Sequence, residues 1–169
     1  MSRRSLARQA ALQVLYQDQF NPQRSRDLDR QYVLNQVESD GVLSDFTWWL
    51  VDGTRAKQAE IDPEIETAAE HWSVYRMSAI DRSLLRMATF ECRFGDTPKA
   101  VGIDEAIRLA KRFGGKDSPA FVNGVLDRIL TGPSPTSGES TEAEPEVPKQ
   151  EKPLEARPGL QRFIKRPNS

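Results

Sequence analysis

The chain has 169 residues, with 24 Lys and Arg against 25 Asp and Glu and a net charge of −1, which predicts one domain with a tail. Cys92 is the only cysteine and His71 the only histidine, so no intrachain disulfide is expected, nor a Cys/His metal centre, nor a histidine-activated nucleophile. No apolar run approaches the ~20 residues of a membrane span, and no signal-peptide stretch of roughly 7–15 apolar residues follows the basic start; the expected compartment is the cytoplasm, with no membrane partner and no cofactor.

Apolar residues recur at helical spacing along the first 130 positions or so, and strand-like alternation is not sustained anywhere. Ala7, Ala11, Leu12, Leu15 and Tyr16 share one face of a first helix. Leu28, Tyr32, Val33 and Val37 mark a second, and Phe46, Trp49, Leu50 and Gly53 a third. Ile65, Ala68, Ala69 and Trp72 mark a fourth. Ile80, Leu84, Met87, Ala88 and Glu91 trace a fifth. Ile103, Ala106, Ile107 and Ala110 make a sixth, and Phe121, Val122, Val125, Leu126 and Ile129 a seventh. Asp62-Pro63, Thr97-Pro98 and Ser118-Pro119 each set a capping oxygen before a proline, the signature of a helix start. The reading is all-α, seven helices in one or two small bundles over residues 1–131. From Thr131 onward Pro, Glu, Ser and Thr dominate, so 132–169 is expected to be a disordered tail. Residues 139–155 hold six Glu and two Lys, and 156–169 hold four bases and no acid.

Residues 112–117, RFGGKD, invite a phosphate-loop reading that the spacing rejects. A P-loop needs glycine five residues before Gly115, where Ala110 stands, and Ser or Thr after the lysine, where Asp117 stands. Gly114 and Gly115 are instead expected to end a helix, with glycine in the left-handed conformation, and Ser118 or Asp117 to cap the next. Lys111, Arg112 and Lys116 gather at this turn, a candidate contact for nucleic-acid phosphate. Phe121, just inside the next helix, is either core or a platform for a base.

Arg3, Arg4 and Arg8 open the chain without an acid before Asp18. Arg4 and Arg8, four apart, are expected on one side of the first helix. Cations at a helix start oppose its dipole by a few tenths of a kcal/mol, so the cluster points to an anionic partner such as RNA or DNA.

Three stretches carry a resemblance to a known family: RRSLARQAALQVLYQ at 3–17, IDRSLLRMATFE at 80–91 and VGIDEAIRLAKRFGGKDSPAFVNGVLD at 101–127. They resemble the bacterial transcription antitermination factor NusB family, over about residues 3–130. The resemblance implies a fold of seven helices in two subdomains and no catalysis. It implies binding of single-stranded boxA RNA in ribosomal RNA leaders together with NusE, a small-subunit ribosomal protein, and loading of the complex onto RNA polymerase. Carried onto this sequence, Arg3, Arg4 and Arg8 correspond to RNA-binding residues. Tyr16 matches a position near the RNA, or is a core aromatic with an exposed hydroxyl. Lys116, Asp117 and Phe121 match the second part of the RNA surface, with Asp117 a base-reading acceptor or only a cap. Asp81, Arg82 and Arg86 match the side that faces the ribosomal protein; Arg82 and Arg86 alternatively pair internally with a Glu such as Glu105. Asn123 and Gly124 are expected to be structural, the glycine permitting close helix–helix approach. Some family members self-associate through the partner surface, which makes a homodimer one expectation. The basic start is thinner here, with Ser5 and Leu6 where richer members carry arginine, and the basic end of the tail, Arg157 to Arg166, is a candidate compensating contact. The alternatives are a protein–protein adaptor without RNA binding, or a stand-alone relative of the helical domain fused to ribosomal RNA cytosine methyltransferases.

Overall fold

The computed structural model describes residues 2–132, so the expectations for the tail lie outside the described residues. Six α-helices follow in order: α1 (Arg3–Phe20), α2 (Arg26–Gln36), α3 (Gly41–Ala68), α4 (Ala79–Phe94), α5 (Lys99–Phe113) and α6 (Ser118–Thr131), with a 3-10 turn at Val74–Arg76. No strand occurs among the described residues. Helices α1–α3 pack as one group and α4–α6 as another, joined where α4 lies against α1 and α3. The two groups share one core, centred on Leu12, Leu50, Ile61, Ile65, Leu84, Leu85 and Leu126, all buried.

The third and fourth predicted helices are one. Pro63 lies inside α3 rather than at a start. An internal proline removes one backbone hydrogen bond and costs about 3 kcal/mol, but Ile61 and Ile65 on either side of it are both buried, and that packing carries the helix through. Asp62 does not cap: its two carboxylate oxygens each accept from Arg86, at 2.7 Å. The other two proline signals also differ in detail. Pro98 itself occupies the N-cap of α5, while the Thr97 hydroxyl donates to Glu91 at 2.6 Å. The Ser118 hydroxyl accepts from the Gly115 amide at 2.9 Å, and Asp117 stands at the N-cap without a side-chain cap bond. The capping side chains are Ser2, Ser25, Asp40 and Ser78.

Two predicted core positions face outward. Trp72 is 54% exposed because α3 ends at Ala68 and the chain turns through Glu70 and His71, both in the left-handed region. Leu28 is 57% exposed, and its neighbour Asp29 is buried instead, where Arg24 Nε meets it at 2.5 Å.

The glycines depart from expectation too. Gly114 ends α5 in extended backbone, not left-handed. Its role is contact: a Cβ there would lie 2.6 Å from Ser118 Cβ. Gly124 meets nothing within 4 Å, so no close helix approach explains it. Packing glycines stand elsewhere: Gly102 of α5, where a Cβ would meet Cys92 Sγ, and Gly53 of α3, where a Cβ would overlap the ring of Phe90. That ring belongs to an aromatic row, Phe46, Trp49, Phe90 and Phe94, with successive centroids 5.8, 4.8 and 5.4 Å apart, which ties α3 to α4.

Candidate nucleic-acid interface

Helix α1 carries most of the predicted RNA residues, and its faces treat them differently. Arg3 is exposed and pairs with Asp40, the N-cap residue of α3. Arg4 is exposed, with its guanidinium over the Phe46 ring at 5.4 Å. Arg8 sits over the same ring at 5.5 Å, so the i, i+4 pair does share a side. There the expectation for Arg8 fails, because the side chain is only 4% exposed and turns into the core. Its Nε donates to Glu91 Oε2 at 2.9 Å and its terminal nitrogen to Oε1 at 2.6 Å, while Glu105 lies 3.7 Å away. Burial opposes the Arg8 charge, but the hydrogen bonds and charge of Glu91, with Glu105, outweigh it and hold the guanidinium above its ordinary pKa. Arg8 therefore joins α1 to α4 and α5 and offers solvent no phosphate contact. Next to this joint, burial pushes the Cys92 thiol from 9.0 up to about 11, with the Glu91 charge adding to it.

Tyr16 is half-buried and packs on Phe20, centroids 4.9 Å apart. It faces a cleft that Phe113, the last residue of α5, also lines. Two turns back along α1, Arg112 donates to Gln9 Oε1 at 2.7 Å. This bond brings the α5–α6 turn to the side of α1. Lys116 and Asp117 are exposed in that turn, and Phe121 behind them is half-buried against the core. The carboxylate of Asp117 makes no cap bond, which removes the cap-only reading of that residue. Arg112 thus ties the exposed Lys116 turn to α1 at the buried Gln9, with Tyr16 two turns further along that helix and Arg3 and Arg4 at its start. Gln9, Gln13 and Gln17, at four-residue spacing, form a polar row on α1 that a helical wheel displays, from the buried Gln9 to the exposed Gln17.

The predicted partner residues lie at the far end of α1, where Gln19 meets α4. Arg82 donates through two nitrogens to Gln19 Oε1, with Nε at 2.7 Å, and to the Val74 carbonyl at 3.1 Å. Burial first, and then Arg86 nearby, lower its pKa. Arg86 is held by Asp62, so its partner is an internal carboxylate, though not Glu105. Asp81 is 9% exposed, and its Oδ1 has no hydrogen-bond partner among the described residues. Arg82 and Arg86 line a slot of about 300 Å³ with Gln19 and Arg55, and Tyr75, 76% exposed, stands at it. Residues 4 and 19 are about 22 Å apart along α1 at 1.5 Å per residue. Tyr16 stands between them, three residues before Gln19, so the two groups of predicted residues approach each other on α1. Among the described residues, no group of three or more His, Cys, Asp or Glu could hold a metal ion, and no helix is long and apolar enough to cross a membrane.

Comparison with known proteins adds the following. A family model described as the NusB family matches residues 5–131. The transcription antitermination protein NusB of Desulfotalea psychrophila is 46% identical over 139 residues, covering 78% of this chain and 97% of the relative. That of Geobacter sulfurreducens is 43% identical over 133 residues, covering 78% and 96%. The solved structure of T. maritima NusB superimposes with a TM-score of 0.67 at 34% identity, covering 78% of this chain and 92% of that one. A structure of antitermination factors NusB and NusE in complex with dsRNA gives 0.68 at 27% identity, covering 78% and 98%. With its all-helical fold and matched length, the chain belongs to the NusB family of non-catalytic transcription antitermination factors.

Proposed function

We propose that the protein binds boxA-type single-stranded RNA of ribosomal RNA leader transcripts jointly with the ribosomal protein NusE, in the cytoplasm, and that the assembly joins RNA polymerase to keep transcription processive. The observation that carries this reading is the Arg112–Gln9 bond, which sets the exposed Lys116 turn beside the polar row of α1. Arg3, Arg4 and Lys116 are the phosphate contacts, Tyr16 and Phe121 the aromatic platforms, and Asp117 an acceptor for a base amino group. Arg8 acts from behind, fixing α1 against α4. A related solved structure contains NusB and NusE in complex with dsRNA, which supports NusE and RNA as partner classes.

The slot at the start of α4 receives the protein partner. Arg82 is its polar contact and Tyr75 its exposed aromatic, while Arg86 shapes it through Asp62 and the buried Asp81 holds the start of α4 beside it. Tyr16 lies three residues before Gln19 of the slot, so the two partners bind side by side on α1.

The test is fluorescence anisotropy with a labelled boxA-type RNA, titrated with this protein alone and with NusE present. Tighter RNA binding with NusE is expected, with Tyr75→Ala at the exposed edge of the slot removing that gain while leaving RNA binding by the protein alone unchanged. No RNA binding in either condition overturns the reading in favour of a purely protein–protein adaptor.

A further inference from the structure

Besides the exposed surface, α1 borders a cleft of about 450 Å³, in the size range of small-ligand sites. One wall is Tyr32 of α2, the other Phe113 at the end of α5, and the floor is Tyr16 with Leu12. Gln13 and Gln17 bring two amides to it. The Tyr32 hydroxyl is buried and has no hydrogen-bond partner among the described residues. A buried polar group left unpaired is costly, so an occupant that bonds it recovers that loss. Asp29 also lines the cleft, but Arg24 neutralises it.

We propose that this cleft receives one unstacked nucleobase of the bound RNA, held among Tyr16, Tyr32 and Phe113, with Gln13, Gln17 and the Tyr32 hydroxyl reading its edge. The inference rests on the RNA reading above and adds a base-specific subsite to it. A base fits the lining because it needs a π-surface to stack on and mixed donors and acceptors along one edge, and the cleft offers both. The mouth suits the attached backbone. Arg112 lies over the Phe113 ring at 5.2 Å, and Lys111 and Lys116 are exposed close by in sequence. Tyr16 belongs to both the cleft and the proposed RNA surface, so a strand on that surface reaches the cleft by turning one base inward.

The experiment is an abasic scan. A labelled boxA-type RNA is prepared with one base at a time removed, and its affinity measured for the full chain and for Gln13→Trp, which fills the cleft from the solvent side of α1. Wild type is expected to lose about tenfold at one position and little elsewhere. Gln13→Trp should weaken intact RNA by about the same factor and lose all sensitivity to that position. Tyr32→Phe, which deletes only the hydroxyl, should weaken intact RNA about threefold and leave the matching abasic RNA unchanged, whether or not the tryptophan variant folds. A flat scan on RNA that binds well overturns the cleft alone. So does a positional penalty that persists in both variants. Failure of wild type to bind intact RNA overturns the RNA reading itself.

Discussion

Two arginine pairs with the same four-residue spacing, Arg4 with Arg8 on α1 and Arg82 with Arg86 on α4, each meet an acid of a neighbouring helix. In each pair the second arginine is drawn inward by a carboxylate, Glu91 for Arg8 and Asp62 for Arg86. In each pair the first stays nearer the surface, stacked on Phe46 or bonded to Gln19. The two ends differ in depth. Arg8 and Glu91 are 4% and 2% exposed, Arg86 and Asp62 9% and 16%. Arginine spacing tells which residues share a side; the position of the buried acid tells which of them is available to a partner.

The deeper joint should break hardest. Arg8→Ala leaves Glu91 buried without its main cation and is expected to cost about 3–5 kcal/mol in urea unfolding. Replacing both partners, Arg8→Met with Glu91→Leu, should restore stability to near wild type, because similar-sized apolar side chains bury without a charge to compensate. A double variant as unstable as the single one would show that the joint is more than this pair.

The Cys92 thiol reports the same joint. With its pKa raised from 9.0 to about 11, the thiolate fraction at neutral pH falls about a hundredfold, and iodoacetamide should modify the folded protein that much more slowly than the unfolded chain. The sign follows from the raised pKa: as pH climbs from 9 toward 11 the unfolded thiol ionises first, so stability declines over that window. Equal rates for folded and unfolded protein would contradict the burial.

At the shallower end, Arg86→Ala removes two charge-assisted bonds to Asp62, and about 1.5–3 kcal/mol should be lost. A loss as large as that of Arg8→Ala would erase the contrast between the ends.

The smallest effects come from the glycines, which repeat the contrast between inward and outward positions. Gly53→Ala pushes a methyl into Phe90 and should cost about 1–3 kcal/mol. Gly124→Ala enters open space and should stabilise by about 1 kcal/mol through helix propensity. Thermal unfolding of the two variants gives both signs; two destabilised variants would mean that Gly124 packs after all.

Much of this was legible in the amino-acid pattern. Apolar periodicity located every helix, and the 101–127 stretch pointed to the family. It failed where a distant residue decides the outcome. Pro63 reads locally as a start, yet Ile61 and Ile65 bury on both sides of it. Arg8 reads as a free cation, yet its partner lies 83 positions away. A clue was present: Glu91 falls on the apolar face of its helix, and a carboxylate in a core position demands a buried cation. Arg3, Arg4, Lys116 and Asp117 are exposed, although the first two also meet Asp40 and Phe46, which are distant in sequence. The cleft could not be foreseen, since Tyr16, Tyr32 and Phe113 come from three helices.

The division of labour between Arg4 and Arg8 is tested most directly by the salt dependence of boxA-type RNA binding in wild type, Arg4→Ala and the Arg8→Met, Glu91→Leu double variant. The account predicts a slope reduced by about one for Arg4→Ala and a wild-type slope for the folded double variant. A slope lowered as much in the double variant as in Arg4→Ala would place Arg8 on the RNA and contradict it.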